Sequence, residues 1–180
     1  MKHFKNFKTC VYCTAQTLAS LDETTLAQDY AYLEKYVGID KVYLETYRDG
    51  TWVAIDHMKM IQNFFKEHGV EIAGGITAVT PPLEKDDAKR QRLFQTFCYS
   101  NETMRTYLKK IVTYTAELFD EIILDDFFFT SCTCDDCLRE RSNLSWAEFR
   151  SNKMIDVAEN LVLKPAKLAN PSVKVTIKYP

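Results

Sequence analysis

No stretch of the sequence approaches the roughly 20 consecutive apolar residues that would span a bilayer. A basic excess is missing too, since 23 Lys and Arg stand against 25 Asp and Glu for a net charge of −2. That balance disfavours nucleic acid and anionic membrane surfaces as partners. Met1 to Lys8 is basic, but Cys10 to Leu21 is broken by Thr, Gln and Ser and makes a poor signal-peptide core, so a cytoplasmic location is expected. Neither a low-complexity segment nor a linker divides the chain, and one domain is expected over residues 1–180. A disulfide ladder is absent as well. The six cysteines are clustered, which suits a metal site in a reducing compartment, and 46% hydrophobic residues in 180 can bury a core without staples.

The densest stretch is EIILDDFFFTSCTCDDC, Glu121 to Cys137. Ile122, Ile123 and Leu124 read as a strand buried on both faces. Asp125 and Asp126 fall at its C-terminal end, the edge where parallel α/β folds collect ligands and catalytic groups. Four further strands are expected, near Phe7 to Cys13, Lys41 to Tyr47, Val70 to Ala78 and Val173 to Tyr179. Helical patterns separate them. Leu26, Tyr30, Leu33 and Val37 predict one buried stripe after N-cap chemistry at Asp22 to Thr25, and Met58, Ile61, Phe64 and Phe65 predict a second between Ile55 and His68. Tyr107, Ile111, Tyr114 and Leu118 predict a third behind Ser100 or Asn101. Ser145-x-x-Glu148 is a capping box for a fourth, with Phe149, Ile155 and Leu161 inward and a disturbance near Pro165.

Repeated βα units with right-handed crossovers imply one parallel sheet. A flavodoxin-like domain needs a last helix to cover strand five, and the sequence stops as that strand finishes. The expected fold class is therefore α/β of the (β/α)8 TIM-barrel type, truncated after strand five, because a whole barrel takes about 250 residues. Gly74-Gly75 would let a ligand or another piece of backbone come close to the third strand. The charged run Glu84 to Arg92 makes a long surface loop that ends at Cys98.

Cys132, Cys134 and Cys137 form a C-x-C-x2-C knuckle in a polar loop, a spacing that folds three thiolates around one metal ion. Cys98 is the expected fourth ligand, because βα order brings it to the same sheet edge, with Asp135 and Asp136 as substitutes. Four thiolates leave no open position, so zinc there would be structural. Cys10 and Cys13 lie three apart in a strand, point to opposite faces and are not expected to bind metal. Of Asp125 and Asp126, one points into the mouth of the sheet, where acid/base work is possible. Glu45 and Arg48 end strand two, and Lys178 and Tyr179 end strand five, all on the same rim. Phe127, Phe128 and Phe129 are either core or a sugar-stacking wall. His57 and His68 are expected on the surface.

Cys98-Tyr99-Ser100-Asn101 opening a helix, followed by Cys132-x-Cys134-x2-Cys137, resembles the zinc site of the bacterial β-galactosidases of glycoside hydrolase family 42. The resemblance covers about residues 90 to 140. It implies a retaining (β/α)8 barrel hydrolase with an acid/base glutamate after strand four and a nucleophilic glutamate after strand seven. Asp125-Asp126, or Asp126-Phe127, stands where that family has Asn-Glu. The resemblance then implies Asp126 as acid/base, Asp125 as the neighbour that orients it or binds substrate, and Glu45 as the reserve. Substrate contacts are expected from Glu45, Arg48, Phe127, Lys178 and Tyr179, with a carbohydrate as the partner and Zn2+ on Cys98, Cys132, Cys134 and Cys137. The nucleophile is expected beyond residue 180. Two other classes fit the same residues: a non-catalytic zinc-stapled carbohydrate-binding scaffold, and a stand-alone flavodoxin-like α/β metalloprotein.

Overall fold

The computed structural model describes residues 4–80, 86, 88–126 and 128–178. Among these residues six strands make one sheet: β1 (Cys10–Cys13), β2 (Lys41–Arg48), β3 (Thr51–Trp52), β4 (Glu71–Ile76), β5 (Glu121–Leu124) and β6 (Lys174–Ile177). Five of them run parallel in the spatial order β1-β2-β4-β5-β6, which is also their order in the chain. A flavodoxin-like sheet places its first strand between the second and third, so this order differs from it. The short strand β3 lies outside the five expected from the sequence. Asp49 and Gly50 both adopt positive φ, 44° and 83°, and so turn the chain into a two-residue hairpin that pairs β3 antiparallel with β2.

Among the described residues seven α-helices connect and cover the strands: α1 (Ala15–Ser20), α2 (Glu23–Tyr36), α3 (Ile55–Glu67), α4 (Glu102–Leu118), α5 (Asp135–Arg141), α6 (Trp146–Val157) and α7 (Lys164–Ala169). Their starts are dictated locally. Asp22 and Thr25 form a reciprocal capping box on α2, Asn101 Oδ1 accepts from Met104 N at 3.0 Å on α4, and Ser145 and Glu148 cap α6. The disturbance expected near Pro165 is a π-helical turn at Ala158–Leu163, immediately upstream of the residue that has no N–H to give to the helix. Upstream of it, Phe149, Lys153 and Val157 recur every four residues as the buried stripe of α6, and Ile155 falls off that stripe. Phe149, Val157, Leu161 and Val162 are buried, whereas Ile155, expected inward, is 59% exposed. On α4 the buried stripe is likewise shifted, to Met104, Leu108, Ile111, Val112, Thr115 and Ala116. Tyr107 and Tyr114 stand at its margin, where a hydroxyl can find a partner, as Tyr107 does with Trp52 Nε1 at 2.8 Å. Val37 is exposed because it caps α2 instead of extending its stripe.

Strand register gives the sheet two unlike faces. Val42, Leu44, Ile76, Ile122 and Leu124 are fully buried on one. The other carries the rows Tyr12–Tyr43–Ala73 and Glu45–Gly75–Ile123–Thr176, in which Tyr43 and Ile123 are half-buried and Thr176 is exposed. Gly74 and Gly75 do admit close neighbours, but these are side chains and not backbone. A Cβ on Gly74 would lie 2.6 Å from Thr115 Cγ2 and 2.7 Å from Phe119 Cδ2, and one on Gly75 would lie 2.7 Å from Tyr12 Oη. No described helix is long and apolar enough to cross a membrane.

Candidate active site and metal centre

The loops that leave β4 and β5 meet through sulfur. Cys98 precedes the Asn101 cap of α4, Cys132 lies in the loop after β5, and Cys134 and Cys137 are the N-cap and first turn of α5, so one helical turn sets their spacing. The four Sγ atoms all lie within 4.8 Å of one another, with Cys98 Sγ 3.7 Å from Cys134 Sγ and 3.6 Å from Cys137 Sγ. Metal–sulfur bonds of about 2.3 Å in a tetrahedron put sulfurs about 3.8 Å apart, so these four thiols are grouped closely enough to hold a metal ion. Three of them are buried. Hydrogen bonding by the Cys137 and Cys98 thiols pulls Cys132 well below the ordinary thiol range. The same bonds push Cys98 far up and Cys137 up to about 12. Asp135 and Asp136 are not in the cluster, and neither are Cys10, which is exposed, or Cys13, which is half-buried.

A second group gathers at the C-terminal end of the sheet. Asp125 continues the polar face of β5, its N–H donating to Ile76 O at 2.9 Å. Its carboxylate lies 3.5 Å from Arg48 Nη2 and 3.3 Å from Lys178 Nζ. Asp126 is the more open of the two, with its side chain 37% exposed against 13% for Asp125, and it pairs with Lys178 Nζ at 2.9 Å. Four of the expected rim residues therefore converge. Behind them sits Glu45, which is fully buried. Its oxygens accept from Tyr12 Oη at 2.8 Å, from Ala15 N at 2.6 Å, from Arg48 Nε at 2.9 and 3.1 Å, and from the Thr77 hydroxyl. Every acceptor direction of this carboxylate is occupied from within the protein, so its work is to aim Arg48 and Tyr12. Desolvation, and then the Glu45 charge, push the Tyr12 phenol well above its usual range, so it donates as a neutral hydroxyl.

Phe128 is core, with its ring 6.4 Å from that of Tyr99, whereas Phe129 is half-buried at the rim. Phe127 and Tyr179 lie outside the described residues. His57 is half-buried and bonds Leu18 O at 2.7 Å, and His68 is exposed. Sequence reasoning missed Tyr12 and Thr77. The signal for Tyr12 was present in the alternation that puts it on the same face as Tyr43 and Glu45, whereas Thr77 depends on a register irregularity between Glu45 and Tyr47.

Over residues 1–180 the chain matches the family described as probable glycosyl hydrolase, catalytic domain. It belongs to that family. An uncharacterized protein of Saccharolobus solfataricus is 33% identical over 198 residues, which cover 97% of this chain and 32% of that protein. The chain thus spans about a third of the length of this curated relative. The rim of paired carboxylates and cations lies at the C-terminal end of the parallel sheet, the edge where such folds collect ligands and catalytic groups.

Proposed function

We propose that the full-length protein hydrolyses a β-linked glycoside at this sheet edge, within a (β/α)8 barrel to which the chain contributes strands one to five. The convergence of Asp125, Asp126, Arg48 and Lys178 on one end of a family catalytic domain is the observation that carries this reading. The unbroken strand order β1-β2-β4-β5-β6 supports the barrel, because a barrel adds each strand beside the last.

In this reading Asp126 is the acid/base. It gives its proton to the glycosidic oxygen as the C–O bond breaks, and later takes one from the water that completes hydrolysis. Asp125, fixed between two cations, orients Asp126 and accepts from sugar hydroxyls, while Arg48 and Lys178 donate to them. Glycoside hydrolysis uses a pair of carboxyl groups flanking the bond, and we assign the second to a residue outside these 180. Zinc is the ion assigned to the four cysteines, with no open position for water and therefore a structural role.

The test is turnover. The full-length protein is expected to hydrolyse 4-nitrophenyl β-D-galactopyranoside or a related aryl β-glycoside, and Asp126→Asn is expected to lower the rate on an alkyl β-glycoside, whose leaving group needs the proton, by about 10²- to 10⁴-fold. Unchanged rates in that variant exclude Asp126 as the acid. Saturable glycoside binding without turnover by the wild-type protein would instead mark a carbohydrate-binding scaffold.

A further inference from the structure

The loop between β4 and α4 presents an aromatic side chain at a backbone cost. Phe94 has φ 52° and ψ 20° and Gln95 has φ 55°, the left-handed region that non-glycine residues enter rarely. Despite that cost, the Phe94 side chain is not in the core, since the residue is 59% exposed. The conformation is held from all sides. Arg92, 3% exposed, donates through Nε to Thr96 O and through Nη2 to Thr80 Oγ1 at 2.9 Å, and forms a two-pronged pair with Asp86 at 2.9 and 2.6 Å. Thr80 N–H donates to Gln95 O at 2.9 Å, and Leu93 N–H donates to Ser131 Oγ at 2.8 Å, which ties this loop to the one leaving β5. Across that tie Phe94 meets Phe129 edge-on, with ring centroids 6.5 Å apart. Strain that the surroundings maintain in order to put a large apolar ring at the surface points to a ligand.

We propose that Phe94 and Phe129 form a stacking platform for the apolar C–H face of a pyranose ring, outside the acid/base pair. This rests on the glycosidase reading and gives its substrate site a specificity element. Both rings stand on loops that follow the C-terminal ends of β4 and β5, the edge that holds Asp125 and Asp126. An edge-to-face pair offers one flat face to a sugar while the second ring fixes its tilt. The two loops that carry the rings are tied directly by the Leu93–Ser131 hydrogen bond, and Cys98 and Cys132 approach one another between the same two loops.

Phe94→Asn separates this role from a packing role, because Asn tolerates the left-handed backbone but cannot stack. In the full-length protein, saturation-transfer NMR with the hydrolysis-resistant 4-nitrophenyl 1-thio-β-D-galactopyranoside and methyl 1-thio-β-D-galactopyranoside as probes should show transfer to the sugar ring protons. Phe94→Asn and Phe129→Ala are each expected to raise Kd by about tenfold. Phe94→Trp should restore binding, and Phe94→Asn should melt no lower than the wild type. A Phe94→Asn protein that binds as the wild type does, or one that melts lower with affinity unchanged, overturns the platform and makes the ring a packing element. Absence of transfer to either probe in the wild type also overturns it. The two readings fail separately: sugar binding that depends on Phe94 without any turnover leaves the platform and removes the hydrolase, whereas turnover with KM unchanged in Phe94→Asn does the reverse.

Discussion

Glu45 shows how one buried carboxylate can organise a rim it does not itself present to solvent. Its four donors come from β1, the start of α1, β2 and the segment after β4, so the charge binds three strands together at the level where Asp125 begins. Glu45→Gln keeps the shape but removes the charge, and one amide nitrogen then faces donors. We expect a loss of about 2–3 kcal/mol of stability, read from the denaturant midpoint. Catalysis should fall with it, because Arg48 loses the partner that aims it at Asp125. Gly75 belongs to the same assembly. Its missing Cβ is the space the Tyr12 ring occupies, so Gly75→Ala must displace Tyr12 from Glu45, and a destabilisation of about 1–3 kcal/mol is expected by the same measurement. The carboxylates at the rim were legible from their place after an apolar run; the shell beneath them was not, because Tyr12 and Thr77 are unremarkable residues until the strands are aligned.

Among the elements, the loops after β4 and β5 carry the cysteine cluster and the candidate acid, and the cysteines bring the two loops together. Their grouping was legible in the spacing, since C-x2-C fits one turn of helix and Cys98 precedes an Asn cap. What spacing alone did not reveal was α5, whose first turn holds Cys137, or the left-handed pair Phe94–Gln95, whose conformation is imposed by Arg92 and Thr80 and not by local preference. Cys137→Ser should lower the melting temperature and release metal to a chelator, while far-UV circular dichroism at low temperature retains the sheet signal. The acid side follows from the thiols. Cys98 and Cys137 are raised without an ion and keep their protons at neutral pH, so binding must displace at least two of them. Apparent zinc affinity, measured by chelator competition, should therefore fall by at least about a hundredfold for each pH unit of acidification in the neutral range. A pH-independent affinity would show that the thiols are ionised before the metal arrives.

For the whole molecule, the informative feature is the asymmetry of the sheet. Helices bury Leu44, Ile76 and Ile122 on one side, while Tyr43, Ile123 and Thr176 on the other are only partly covered by the described residues. The parallel α/β architecture was readable from the βα alternation, and the strand order rests on contacts far apart in sequence that no local pattern encodes. Barrel closure predicts that β1 and β6, which pair only with β2 and β5 among the described residues, each gain another neighbour in the full-length protein. Hydrogen exchange checks this: amides of β1 and β6 should be protected as strongly as those of β2 and β4, and fast exchange along either strand would leave the sheet open. The family is described as probable glycosyl hydrolase, catalytic domain, and the rim offers the candidate acid of the proposed reaction. The measurement closest to this claim is leaving-group dependence in Asp126→Asn. If Asp126 donates the proton, kcat/KM for an alkyl β-glycoside should fall at least about a hundredfold more than for the 2,4-dinitrophenyl glycoside, whose phenolate leaves unaided. Equal losses for both substrates would contradict the account.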